Sequence, residues 1–275
     1  MITGVTRGLL QLQYILGQMA IFIFGPLYFT AIAVMRYRVR GLKELRREFS
    51  LQLKNHKGPW IICANHLTMI DSFVLLYATT PLYAHFRHYR MLPWNLPERD
   101  NFQRSILLSV FCYLAKCIPV NRGGDRRQMK KTLDKCAYIL RKKQPLMIFP
   151  EGGRSRTCRV DTENFSYGVG RFIKDVDNCK VMCIYLRGDG QDTYGTIPKF
   201  GERFTALMSV LTPQKTEDSG LRAQRYYAEE IVKRLAQLEE DYFALRGQRY
   251  SGLDRSRCEG KEPEYTLRQP RFYSR

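Results

Sequence analysis

Charge is missing from one long stretch of this chain, and acid is scarce in the rest. No charged residue stands between Gly8 and Met35, a run of 28 positions, which leaves a membrane segment or a buried core helix as readings. Over the whole chain 45 Lys and Arg face 26 Asp and Glu, a formal net charge of +19. Such a field attracts phosphates, whether on nucleic acid, on an anionic bilayer or on a small substrate. Eight cysteines include no C-x-x-C pair, so no zinc site is expected. Cys63, Cys112 and Cys183 lie inside apolar segments, where a thiol packs as a small hydrophobe, and they read as reduced cysteines of a cytosol-facing protein. No G-x-S-x-G elbow supports an acyl-serine hydrolase, and neither G-x-x-x-x-G-K-[ST] nor G-x-G-x-x-G is present to cradle a nucleotide. Histidine occurs only four times.

The uncharged run is long enough to cross a hydrocarbon core of about 30 Å as a helix. Gln11, Gln13 and Gln18 in its first half, and Gly25-Pro26 near its middle, fit two shorter helices folded as a hairpin into one leaflet equally well. The segment "RYRVRGLKELRR" follows, a basic cluster with Glu44 as its one acid, suited to the cytoplasmic side and to anionic headgroups. The expected organisation is an N-terminal membrane anchor over 1–47, an α/β domain over 48–247 and a basic tail over 248–275.

Beyond the anchor, short apolar runs alternate with helical stretches. "PWIICA" (59–64), "AKCIPV" (115–120), "PLMIFP" (145–150) and "KVMCIYL" (180–186) read as strands. "RRQMKKTLDKCAYILRKK" reads as a helix, and residues 219–246 as an amphipathic one. Strand, loop, helix, strand is the pattern of an α/β domain with largely parallel pairing. Ligands of such sheets bind beyond the carboxyl ends of the strands, where "NH", "NRGG" and "EGGRS" fall, so these three motifs are expected to converge.

In "ANHLTMIDSF" His66 and Asp71 are five residues apart. A neutral imidazole can take a proton from a hydroxyl, and a carboxylate on its other nitrogen fixes the tautomer. Five helical residues turn about 500°, so the pair meets only if His66 ends a strand and Asp71 opens the next helix. Alternatively, Asp71 or Thr68 merely caps that helix. In "FPEGGRSRT" (149–157) a tight glycine turn admits a ligand to the backbone, Arg154 offers a planar fork to phosphate, and Glu151 can orient that arginine or a substrate hydroxyl. In "IPVNRGG" (118–124) Arg122 is placed for a second phosphate contact. With no protein nucleophile in view, the group His66 activates is a hydroxyl of the substrate. A different class also accounts for the charge: a non-catalytic basic protein that holds nucleic acid or anionic membrane, with no role for His66.

"NHLTMIDS", "IPVNR" and "FPEGGRS", in that order, resemble the glycerolipid acyltransferases typified by 1-acylglycerol-3-phosphate acyltransferase, over about residues 58–190. The resemblance implies a mixed, largely parallel sheet flanked by helices, behind an N-terminal membrane-embedded helical segment. It implies that His66 is the general base and that Asp71 orients it, so that a lysophospholipid hydroxyl attacks the thioester of acyl-CoA or acyl carrier protein directly. Arg122 would hold the acceptor phosphate, and Asn65, Glu151, Gly152, Gly153, Arg154 and Ser155 would complete acceptor binding. No cofactor, no metal and no nucleic acid is implied. The implied partners are the two substrates and an anionic membrane, at the cytoplasmic face of the inner (plasma) membrane. The chain departs from the family at Asn121, where an acid is common, and in "VMCIYLRGDG", which lacks the usual proline. The Pro-rich "MLPWNLPERDNF" (91–102) is expected to shape the acceptor pocket or to form a rigid loop.

Overall fold

A computed structural model describes residues 2–102, 105–121 and 125–247; the basic tail and Arg122 lie outside these. In chain order the elements are α1 (Gly4–Val34), β1 (Arg38–Val39), α2 (Leu42–Asn55), β2 (Trp60–Ala64), α3 (Asp71–Thr79), α4 (Leu82–Arg87), a 3-10 turn (Tyr89–Met91), β3 (Trp94–Asn95) and α5 (Arg99–Phe102). There follow α6 (Ile106–Leu114), α7 (Arg126–Arg141), β4 (Leu146–Ile148), α8 (Gly168–Asp175), β5 (Lys180–Gly188), β6 (Arg203–Leu211) and α9 (Gly220–Arg246).

The six strands form one sheet in the order β1-β6-β5-β2-β4-β3, in which every neighbouring pair is parallel except β5 with β6. The fold is thus the largely parallel α/β sheet that the alternating pattern implied, mixed and flanked by helices as the resemblance implied. All five residues of β2 are buried, as a central strand covered on both faces requires. Ile61, Cys63, Val181, Cys183 and Tyr185 face a core with Leu140 of α7, Phe172 of α8 and Ile231 of α9. Trp60, Ile62, Met182 and Ile184 face the opposite core with Phe49 of α2, Val74 of α3 and Ile32 of α1. This is the two-residue alternation of strand side chains, each face feeding its own helical layer. The seven described cysteines are free, and all but Cys117 are buried.

One expectation needs correction. "AKCIPV" does not form a regular strand: it pairs with 95–99 through isolated bridges, Cys117 to Asn95 at the end of β3 and Val120 to Glu98 beyond it. Ile118 N–H donates to Asn95 O at 2.8 Å and Val120 N–H to Pro97 O at 2.9 Å, but Lys116, with a φ of 56°, interrupts the extended backbone on one side, and past Asn95 the facing segment is loop. The edge position goes instead to β3, inside "MLPWNLPERDNF", where Pro93 and Pro97 confine the pairing to two residues. Of the two readings left open for the apolar run, the single helix is the one formed: it has 31 residues, with Pro26 inside it. An internal proline costs a helix about 3 kcal/mol, and here flanking contacts offset it: Phe22 stacks on Phe86, Phe24 meets Phe111, and Tyr28 meets Phe73 and His85.

Helix α1 is long and apolar enough to cross a membrane, yet one stripe of it packs on the domain for most of its length. Leu10 joins the α7–α9 core and Ile32 the α2–α3 core. Between them Gln13 donates to the carbonyls of Tyr113 and Cys117, both at 2.9 Å. A Cβ at Gly17 would stand 2.2 Å from Tyr89 Oη, so only glycine allows this approach.

His85 of α4 is fully buried against α1. Its Nδ1–H donates to Pro81 O at 3.0 Å, which leaves Nε2 to accept the Tyr28 hydroxyl. Burial, with a smaller push from the Arg46 charge, lowers its pKa to about 4. The unfolded chain, with an ordinary histidine near 6.5, then binds the proton more readily, so this site's stabilisation is complete above about pH 6.5 and is lost as pH falls toward 4. A loss of roughly 2 to 3 kcal/mol is expected between pH 7 and about pH 4.5. Thermal melts should show that His85→Gln, which can bond both Pro81 O and Tyr28, falls less steeply than the wild type over this window. Parallel profiles would contradict the assignment.

Candidate active site

Adjacent strands β2 and β4 end in the two motif loops, and this brings residues 65–71 and 149–155 together. The loops clasp each other through backbone groups: His66 N–H donates to Glu151 Oε1 at 3.0 Å, and Ser155 N–H donates to His66 O at 2.8 Å. The His66 ring stacks on Phe149 with centroids 4.2 Å apart.

Asp71 is the first residue of α3 and is buried. Its Oδ2 accepts His66 Nδ1 at 3.0 Å and the N–H groups of Leu67 and Thr68 at 2.6 and 2.8 Å. Its Oδ1 accepts the Thr68 hydroxyl. The carboxylate therefore ties down the loop before α3 and holds the imidazole, with its charge in the first turn of the helix where it is favoured; it is not a cap, since Ile70 takes that position without a side-chain bond. With Nδ1–H committed to Asp71, the lone pair of Nε2 is the free acceptor of the neutral ring. His66 lines a cavity of about 500 Å³ with Met69, Phe73, Gly152 and Arg154.

Gly152 has a φ of 75°, a conformation that favours glycine, and its N–H closes a turn onto Phe149 O at 3.0 Å. A Cβ at Gly153 would meet no atom within 4 Å, so the loop presents open backbone to the cavity. Glu151 does not reach Arg154 by any bond; burial pushes its pKa to about 8, opposed by the His66 N–H. Its Oε2 is buried with no hydrogen-bond partner among the described residues. At neutral pH this carboxyl is mostly protonated, so it can donate as well as accept.

Asn65 and Ser155 have other partners. Asn65 exchanges two hydrogen bonds with the backbone of Leu186, at 3.0 and 2.7 Å, and so extends the β2–β5 ladder by one side chain. Ser155 Oγ donates to Arg159 O at 2.6 Å and accepts Arg159 N–H at 3.1 Å. Neither lines the cavity. Arg122 falls outside the described residues.

The sequence had not singled out the loop after β5. Gly195 O accepts Arg154 Nη1 at 3.1 Å, Tyr194 lies 4.9 Å under its guanidinium, and Thr196 O accepts the Met69 N–H at 2.9 Å. The run of glycines and aspartates in "RGDGQDTYG" was the available signal for such a loop. Equally unforeseen is an almost wholly apolar cavity of about 450 Å³ between α1, α3 and α6, with walls of Phe24, Leu27, Tyr28 and Ile70. Phe73, Leu76, Asn95, Phe111 and Ala115 line both cavities and form the partition between them.

A family model described as Acyltransferase matches residues 36–187, from just after α1 to the end of β5. That span is more than half of the chain and contains both motif loops, and the protein belongs to this family, the glycerolipid acyltransferases.

Proposed function

We propose that the protein transfers a fatty acyl group from acyl-CoA or acyl carrier protein to the free hydroxyl of a lysophospholipid, with 1-acylglycerol-3-phosphate as acceptor and phosphatidic acid as product. The observation that carries this reading is the His66–Asp71 pair, whose imidazole lines a cavity that abuts an apolar one. His66 Nε2 takes the proton of the acceptor hydroxyl as its oxygen attacks the thioester carbonyl. The C–S bond then breaks and the leaving thiolate takes that proton back, so the ester and the free thiol account for every atom. Asp71 fixes the tautomer and stabilises the imidazolium. Arg154, with Arg122, draws the acceptor phosphate, and the open backbone at Gly152 and Gly153 lets it approach. Glu151 holds the His66 backbone, and Asn65 and Ser155 keep the loops in register. The apolar cavity takes an acyl chain. The membrane involved is anionic and is met from the cytoplasmic side; the basic surplus serves this contact, without nucleic acid.

The test is acylation of a panel of acceptors by a labelled acyl-CoA and by acyl carrier protein. Lysophosphatidic acid should be esterified faster than monoacylglycerol, and thioester should be consumed only when an acceptor is present. Ester formation at equal rates on both acceptors removes phosphate recognition from the reading. The absence of ester with every lysolipid and both donors overturns it.

A further inference from the structure

Helix α6 carries nine residues, "ILLSVFCYL", with no charge among them. Its inner side is occupied: Cys112 is buried, Phe111 meets Phe24 of α1, and the carbonyl of Leu114 lies against Gly17. Its outer side is bare. Ile106 is 86% exposed and Leu107 82%, and Val110 and Tyr113 continue the same apolar surface. Burying two such aliphatic side chains is worth about 1.5 to 3 kcal/mol each, so their exposure to water leaves a large driving force unused.

Two observations identify what covers them. First, α6 runs counter to α1: Gln13 meets Tyr113 and Cys117, Gly17 meets Leu114, and Phe24 meets Phe111. The α6 surface is therefore continuous with the exposed face of α1, which carries Leu9, Met19, Phe22, Ile23 and Leu27. Second, α1 touches the domain from Leu10 to Ile32. If a rod of about 46 Å bound along its length to an α/β domain crossed a bilayer, it would drag that domain into hydrocarbon. Laid in the plane of the interface, it buries its bare face and leaves the domain in water. That placement brings α6 to the lipid alongside it.

We infer that α6 is a second membrane-inserting element, lying beside α1 in the same leaflet, with Ile106 and Leu107 in the acyl layer. The helical pair in the membrane is then α1 with α6, not two halves of the N-terminal run. Phe111 and Ala115 of the α6 region line both cavities, so a lipid reaches the site from the leaflet without passing through water. This holds whichever acceptor is esterified and does not depend on the proposed chemistry.

The full chain is tested on vesicles of phosphatidylcholine and phosphatidylglycerol. In Leu107→Trp, brominated acyl chains should quench the new tryptophan, whereas Trp60 and Trp94, both buried, should be unaffected. The double variant Ile106→Asp, Leu107→Asp should melt as the wild type does, because neither side chain is packed. It should bind vesicles at least tenfold more weakly, on the order expected for losing buried aliphatic area. Absence of quenching of the introduced tryptophan in Leu107→Trp, or vesicle affinity equal to wild type in the double variant, overturns the inference. So does sedimentation showing that this face joins two copies in the absence of lipid while vesicle affinity is unchanged by the substitutions.

Discussion

Replacing His66 with alanine is expected to lower kcat/KM for acyl transfer by about 10³-fold, within the 10² to 10⁴ range of a lost general base. The melting temperature should stay within a few degrees of wild type. The two effects separate because of how His66 is held. Its backbone N–H and C=O make the bonds to Glu151 and Ser155, and these survive side-chain truncation. The imidazole itself makes one polar contact, to Asp71, whose oxygens keep the Leu67 and Thr68 groups. Asp71→Asn should also cost activity heavily: an amide nitrogen facing Nδ1 would favour the tautomer that puts the proton on Nε2, where the base is needed. Labelled acyl-CoA assays beside thermal melts give both readings, and retention of activity within about tenfold in His66→Ala would contradict the role of general base.

Glu239→Ala is expected to lose about 3 to 5 kcal/mol of stability, the usual cost of stripping one partner from a buried ion pair. Glu239 of α9 is 2% exposed and is surrounded by donors. Arg159 Nε lies 3.0 Å from one carboxyl oxygen, and the Tyr185 hydroxyl and Val160 N–H bond the other at 3.1 and 3.2 Å. Arg159 and the equally buried Arg187 oppose the rise in pKa that burial imposes on this carboxyl. Without it Arg159 keeps Glu240 at 3.0 Å, and Arg187 keeps Gln191 O at 2.8 Å. Arg187 also keeps Asp192 at 3.3 Å, but Glu240 and Asp192 are far more exposed than Glu239, so solvent screens their charges and they offset only part of the loss. A drop on the order of 10 °C in the melting temperature follows for a chain of this size. Glu239→Gln retains hydrogen-bonding capacity for Val160 and Tyr185 and should fall between the two; a melt of Glu239→Ala within about 2 °C of wild type would contradict the account. The network also bears on the site, since the Arg159 backbone holds Ser155 Oγ at the end of the glycine loop.

The strands with the highest apolar content were the ones legible in advance. "PWIICA", "PLMIFP" and "KVMCIYL" became β2, β4 and β5, because a run buried on both faces announces itself by composition. β6 went unread: its side chains are only partly covered beyond Phe204, and its antiparallel pairing with β5 depends on a partner no local pattern names. The strand expected over 115–120 is cut short for a related reason: Lys116 leaves the extended conformation, and the bonds of 117–120 go to 95–99, of which only Asn95 belongs to a strand. At the site, the spacing of His66 and Asp71 correctly required a strand end followed by a helix start. Asn65 and Ser155 look in sequence like groups offered to a ligand, and only their satisfied backbone partners, Leu186 and Arg159, take them out of the cavity.

The sequence by itself determined the family, the sheet's central strands, the His66–Asp71 pair and a long uncharged segment able to meet lipid. These follow from local composition and short spacings, which act within a few residues. The tertiary structure decided what depends on residues distant in the chain. It kept α1 a single helix through Pro26, because aromatic contacts from α4 and α6 outweigh a local break. It raised the Glu151 pKa to about 8 by burial, and it set an apolar cavity beside the one that His66 lines. Desolvation and cavity shape are properties of packing, and packing is written in no single stretch of sequence.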